Sequence, residues 1–206
     1  MQAYMKWALP YLGVSAVPLR QACKALFAAC DHAASAAWRA DVLAIWRGAR
    51  FREERYGAIA LSGIRAARGW QHMDALPMYE EMIVSGAWWD YVDTIAGHRL
   101  ILLQRAEPGA MKAAMLDWAV CDDMWKRRGA IICQLEAKRD TDLDLLERAI
   151  APSIESREFF LRKAIGWALR HYARTDPAWV ADYVRRHEGR LSGLSKREAL
   201  KHIGGT

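Results

Sequence analysis

The stretch WWDYVD, residues 88–93, places two tryptophans directly beside two aspartates. Such neighbours are unfavourable in a core, because burying a carboxylate without a partner is costly or shifts its pKa. On a helix, Trp89 and Asp93 are four residues apart and share one face, whereas Asp90 points elsewhere. The segment therefore predicts an aromatic surface next to a carboxylate, both available to one ligand. The alternative is an ordinary helix edge, with Trp88 in the core and Asp93 in a cap or salt bridge.

Two later segments combine aromatic and cationic side chains at helical spacing. In DDMWKRRGAIICQL, Trp125 and Arg128 are three residues apart on one face, an arrangement that suits a phosphate backbone. FFLRKAIGWALR predicts a basic stripe with interleaved aromatic rings, in helical steps of three, four and three: Phe160, Lys163, Trp167 and Arg170. The alternatives are a solvated charged face for the first segment and a core tryptophan for the second.

The composition of the 206-residue chain is that of a folded protein, with 53% hydrophobic and 26% charged residues, and not that of a disordered one. Lys and Arg outnumber Asp and Glu by 30 to 24, which favours a polyanionic partner but is weak evidence by itself. The four cysteines form no C-x-x-C pair and lie in apolar helical patterns. They predict reduced core thiols in a cytoplasmic protein. No apolar run approaches the roughly 18 residues of a membrane span.

Helix signals dominate the chain, and strand signals are nearly absent. Asp176 followed by Pro177 predicts a helix start, and Pro108 marks a similar one. SKRE, from Ser195 to Glu198, predicts a capping box that opens a final basic helix. These signals together predict an all-α fold.

A faint repeat runs through the sequence. The tripeptide GAI recurs after 72 residues, and Trp89, Trp125 and Phe160 follow one another at intervals of 36 and 35. A period of about 36 residues with two helices per unit indicates a HEAT-like α-solenoid, whose stacked antiparallel helix pairs form a concave binding face. The alternative is a non-repetitive helical bundle.

The sequence lacks the motifs that mark several classes of active site. It contains no H-E-x-x-H, no P-loop and no G-x-G-x-x-G, and also no G-x-S-x-G. The six histidines are scattered and form no ligand cluster. The residues therefore argue against metal, nucleotide and serine-hydrolase chemistry. What remains is one acid, Asp93, among aromatic residues on a basic helical array.

Four ordered segments closely resemble the DNA alkylation repair glycosylases of the AlkD type: GAWWDYVDTIA, DDMWKRRGAIICQL, SREFFLRKAIGWALRHYARTDP and LSKREALKHI. The segment AYMKWALPYLGV resembles the start of the same pattern, so the resemblance runs from Tyr4 to Ile203. It implies a single HEAT-like domain over residues 1–206 with a concave basic face. In one departure, VSAV between Gly13 and Pro18 is one residue longer than the family pattern, so the resemblance assigns this loop no role.

The resemblance implies hydrolytic removal of cationic N3- and N7-alkylated purines from duplex DNA, with no metal, no cofactor and no base-flipping pocket. Trp89 and Asp93 match the catalytic pair of the W-W-D-x-V-D motif. Arg128 matches an arginine that contacts the backbone near the lesion. Trp167 and Tyr4 match the aromatic residues that pack on the deoxyribose. We expect a monomer.

The physical basis of this chemistry is charge. An alkylated purine carries a positive charge and leaves without protonation, while the sugar gains oxocarbenium character. One carboxylate, Asp93, stabilises that cation and orients a water, and the aromatic faces add cation–π attraction. This mechanism expects Asp93 to face an open, positively lined trough. An acid locked into an internal ion pair, or turned to the convex exterior, would overturn it.

DNA binding is expected from a set of residues that includes the basic stripe: Tyr4, Trp125, Arg128, Lys163 and Arg170. Two rival functions remain open at this stage. The first is a non-catalytic helical array that binds damaged DNA, which would not need Asp93 beside Trp89. The second is a HEAT-like scaffold for protein partners, which would present an exposed apolar groove.

Overall fold

The computed structural model describes residues 9–203. These residues are all-helical and contain no strand, so the predicted all-α fold is confirmed. The described α-helices are, in chain order, α1 Ala16–Leu26, α2 Ser35–Gly48, α3 Arg52–Ser62, α4 Leu76–Gly86, α5 Trp89–Ile95, α6 Ile101–Ala106, α7 Pro108–Val120, α8 Met124–Ile132, α9 Leu143–Ile150, α10 Phe159–Tyr172, α11 Pro177–Arg186 and α12 Gly193–Ala199. A π-helical turn, Ala96–Leu100, separates α5 from α6.

The chain divides into two compact units, one ending at Met82 and the other beginning at Ile83. In the first unit, α3 packs against both α1 and α2. The second unit contains α5 to α12 and all the predicted site residues except Tyr4. A single domain over residues 1–206 stays a prediction.

The second unit is built from a repeat. Helix α5 packs against α8, α8 against α10, and α10 against α12. These four helices begin at Trp89, Met124, Phe159 and Gly193, at intervals of 35, 35 and 34 residues. Helices α7 and α9 pack against each other and against α8, as a second layer. The predicted α-solenoid repeat is therefore confirmed in this unit, and its HEAT-like character stays a prediction. The concave basic face stays a prediction.

Two helices begin at the prolines predicted to start them, but the final helix does not begin at the predicted capping box. Asp176 caps α11, with Pro177 as its first residue, and Pro108 opens α7, both as predicted. Helix α12, however, begins after Ser192, whose hydroxyl accepts a hydrogen bond from the N–H of Ser195 at 3.0 Å. The predicted capping box from Ser195 to Glu198 is therefore wrong, because an earlier serine caps the helix.

The first loop is tied to the buried Glu53 of α3. The N–H groups of Leu12, Gly13 and Val14 donate to the Glu53 carboxylate at 3.0, 3.0 and 3.2 Å. Gly13 has a φ of 85°, a left-handed conformation that favours glycine. Three successive N–H groups form a backbone anion site, which the chain fills with its own glutamate. This loop, for which the sequence predicted no role, therefore anchors the chain before α1.

The four cysteines are free thiols, as predicted. Cys23 and Cys133 are buried, and burial raises the pKa of Cys133 to about 12. Cys30 and Cys121 are partly exposed, so the predicted core position is wrong for these two. Among residues 9–203, no helix has the length and apolar character needed to cross a membrane.

Candidate active site

Asp93 lies on α5, just before the π-helical turn. Trp88 is the N-cap with extended backbone, so Trp89 is the first helical residue. Trp89 and Asp93 are therefore one turn apart on one helix, as the sequence predicts. A π-helical turn adds a residue to one helical turn and occurs frequently at functional sites. Here it begins at Ala96, three residues after the acid.

Asp93 forms an ion pair with Arg128 of α8. Nε of Arg128 donates to one carboxylate oxygen at 2.7 Å, and Nη2 donates to the other at 2.8 Å. This is the bidentate geometry that makes arginine–carboxylate pairs strong. The side chains of Arg128 and Asp93 are only 5% and 13% exposed. The expectation of an unpaired acid in an open trough is wrong, because the guanidinium expected to contact DNA binds the carboxylate.

Arg128 also connects this pair to the next repeat. Its Nη1 donates to the backbone carbonyl of Phe160 on α10, and the guanidinium carbon lies 5.9 Å from the centre of the Phe160 ring. Three of its five N–H donors are used in these bonds, which leaves two for a further acceptor. One side chain thus joins α5, α8 and α10. The DNA-backbone contact of Arg128 stays a prediction.

The electrostatics of Asp93 are set by two opposing effects. Burial raises the pKa of its carboxyl above the ordinary value of 3.8, while the hydrogen bonds and charge of Arg128 lower it. The nearby charge of Asp90 adds a smaller upward effect. Burial outweighs the ion pair, so the pKa of Asp93 lies above its usual range.

An aromatic cluster of Trp88, Trp125 and Phe160 packs beside the ion pair. Ring centres are 6.2 Å apart for Trp88 and Trp125, 5.6 Å for Trp88 and Phe160, and 5.0 Å for Trp125 and Phe160. The cluster joins the same three helices as Arg128. Trp125 is buried in it, so this residue has a packing role and its contact with DNA stays a prediction. Phe159, next in line, is exposed.

The predicted basic stripe on α10 is partly neutralised by Glu198 of α12. Nζ of Lys163 lies 2.9 Å from one carboxylate oxygen of Glu198, and Nη1 of Arg170 donates to the other. Sequence reasoning placed Glu198 in a helix cap and missed this cluster. Trp167 lies between the two cations in sequence, is partly exposed, and makes an edge contact with the ring of His171 at 5.6 Å.

Two further predictions concern the position of Tyr4 and the absence of a metal site. Tyr4 lies outside the described residues. Within residues 9–203, no three His, Cys, Asp or Glu side chains form a group able to hold a metal ion.

The chain is similar to known proteins in sequence and in fold. A protein-family model described as "DNA alkylation repair enzyme" matches residues 1–203. A solved structure described as "Predicted DNA alkylation repair enzyme from Enterococcus faecalis" is 29% identical, and the alignment covers 100% of this chain and 94% of that chain with a TM-score of 0.87. No curated protein matches the chain.

Proposed function

Because the chain belongs to the DNA alkylation repair enzyme family, we propose that it is a DNA glycosylase for cationic N3- and N7-alkylated purines in duplex DNA. The observation that carries the proposal is the carboxylate of Asp93. It is held in a fixed orientation by two hydrogen bonds from Arg128 and lies one helical turn from Trp89.

An internal ion pair at Asp93 was expected to overturn the enzymatic mechanism. Each carboxylate oxygen nevertheless keeps a lone pair beyond the one that accepts from Arg128, so the paired carboxylate can still act on the sugar. The positively charged purine leaves without an acid, and the sugar becomes oxocarbenium-like as the N-glycosidic bond breaks. Asp93 stabilises that positive charge and orients the attacking water. A carboxylate already fixed by its neighbours does this without reorganisation. Arg128 then acts as the positioning residue of the site.

The aromatic residues complete the proposed catalytic group. Trp89 and Trp167 present electron-rich faces to the cationic sugar, a cation–π attraction of about 1–2 kcal/mol for a desolvated ring. Tyr4 belongs to this group through the resemblance alone.

DNA is held through its backbone in this proposal. The two remaining donors of Arg128, together with Lys163 and Arg170, contact phosphates, and Trp125 supports them from the aromatic cluster. Because the strand is held by its backbone and no pocket encloses the base, bulky adducts are tolerated. The protein acts as a monomer.

Release of free 7-methylguanine from a duplex containing that lesion tests the proposal. We expect the protein to release the free base, and Asp93→Asn to lower the single-turnover rate by about 100-fold or more with DNA binding retained. Asp90→Asn is the matched control, because it makes the same charge change three residues away and keeps near-normal turnover. Near-normal turnover in Asp93→Asn would contradict the assigned role.

A second candidate, favoured by the ion pair itself, is binding of damaged DNA without catalysis. In this case both oxygens of Asp93 serve to orient Arg128 toward a phosphate. The same assay separates the two candidates: a non-catalytic protein binds the alkylated duplex and releases no base.

A further inference from the structure

Four charged residues occupy equivalent positions in the stacked repeat of the second unit. Asp93, Arg128, Lys163 and Glu198 are each separated from the next by 35 residues and lie on α5, α8, α10 and α12. The two cations stand in the middle of this row, and each binds the acid beyond it. Arg128 binds Asp93, and Lys163 binds Glu198.

The two ion pairs differ in how firmly they are held. The pair of Asp93 and Arg128 is bidentate and nearly closed to solvent. The side chains of Lys163, Arg170 and Glu198 are 37%, 19% and 18% exposed. Exposed ion pairs contribute little to stability, whereas breaking a buried pair is costly. The cluster around Glu198 is the more accessible of the two to an incoming anion, chiefly through Lys163, because Arg170 and Glu198 are largely covered.

The contacts of Glu198 are those that a phosphate would make. One carboxylate oxygen takes Lys163 and the other takes Arg170, so a single anionic group bridges two cations of the basic stripe. Phosphate and carboxylate are recognised by the same charge-assisted donors. Trp167 lies between the two cations in sequence and is partly exposed, which adds an aromatic face to the surface.

We propose that Glu198 occupies the place of a DNA phosphate between Lys163 and Arg170 and is displaced by the bound strand. This inference rests on the proposed DNA-binding function. The free protein keeps both cations oriented and partly neutralised, and a phosphate of the bound DNA replaces the internal carboxylate. Glu198 thus weakens binding to any duplex, damaged or undamaged, by competing with it.

The test measures binding of an undamaged fluorescent duplex by Glu198→Ala at one fixed salt concentration. The variant keeps the Cβ that packs over Gly166 but removes the competing charge. We expect it to bind about threefold to tenfold more tightly than the unaltered chain. Glu198→Gln keeps the side-chain shape, and we expect it to raise the affinity for the duplex as well. It replaces the alanine variant if that variant fails to fold.

Glu155→Ala is the matched control. Glu155 pairs with Arg190 at 3.4 Å on an exposed part of the same unit, so the variant makes an equal change in net charge. We expect its affinity to change by less than about twofold.

A double-mutant comparison locates the effect. In a background carrying Lys163→Gln and Arg170→Gln, both cations that pair with Glu198 are already absent. Removing Glu198 then frees no positive charge, and we expect the gain in affinity to disappear. The inference is overturned if Glu198→Ala or Glu198→Gln binds the duplex no more tightly than the unaltered chain. It is equally overturned if the gain persists in the double background or appears in Glu155→Ala. Because undamaged DNA is used, these results do not depend on base release.

Discussion

Asp93 shows how burial and one neighbouring side chain together set the pKa and the orientation of a carboxylate. Removal from water raises the pKa of its carboxyl, and Arg128 lowers it without cancelling the rise. The same arginine determines the direction in which the carboxylate oxygens point. In the proposed mechanism only the ionised form stabilises the sugar cation, so the pH dependence of base release reports on this pair.

Base release is expected to be lost as the pH falls through the pKa of Asp93, which burial raises above the ordinary value of 3.8. Arg128→Lys keeps a positive charge but loses the bidentate hydrogen bonds that lower this pKa. The acid limb of the single-turnover rate profile therefore moves to higher pH in Arg128→Lys. The check is the rate of 7-methylguanine release across acidic to neutral pH. An acid limb that stays in place, or moves to lower pH, would show that Asp93 does not set it.

At the scale of the helices, the position of Glu198 depends on close packing of α12 against α10. A Cβ built on Gly166 of α10 would lie 2.5 Å from the Cβ of Glu198 and 3.0 Å from the carbonyl oxygen of Ser195. The Ser195 hydroxyl donates to the carbonyl of Arg162 at 2.9 Å and joins the same two helices. Glycine at position 166 is therefore required by the neighbouring helix.

Gly166→Ala is expected to destabilise the fold. Alanine is the better helix former by about 1 kcal/mol, but the clash with α12 forces the helices apart at a cost of about 1–3 kcal/mol. Gly129→Ala is the matched control, because a Cβ there would meet the Trp118 ring at 3.5 Å and Cδ1 of Ile83 at 3.7 Å, both ordinary contacts. Urea unfolding should show a lower midpoint for Gly166→Ala and an equal or higher one for Gly129→Ala. Equal midpoints for Gly166→Ala and the unaltered chain would mean that α12 does not restrict this position.

The sequence predicts the elements better than their partners. Prolines and an aspartate cap are local signals, so the starts of α7 and α11 could be predicted. The ion pairs join residues 35 apart, and a helical-face argument within one segment does not reveal them. The sequence signal for these ion pairs is the period itself, because opposite charges at equivalent positions of adjacent repeats become neighbours in the fold. Continuing the match of Arg128 and Lys163 by one repeat each way reaches Asp93 and Glu198.

For the whole molecule, net charge and available charge are different quantities. The chain carries a formal charge of +6, yet Arg128, Lys163 and Arg170 are all bound to internal carboxylates. A basic composition therefore predicts attraction to DNA over a distance, whereas in the proposed binding mode the phosphate contacts require exchange of ion pairs. This also explains why the sequence, read for its basic residues alone, suggested a more open cationic surface than the structure has.

The salt dependence of DNA binding measures how many of these cations contact phosphate. Each phosphate neutralised releases counterions, so the slope of log affinity against log salt changes by about 0.9 per contact. Lys163→Gln is expected to weaken binding to all duplex sequences alike and to reduce the magnitude of the slope by about 1. Arg185→Gln makes the same charge change on α11, where Arg185 is highly exposed and paired with Asp182, and should leave the slope unchanged. An equal loss of slope in both variants would mean that DNA responds to net charge, with no defined contact at Lys163.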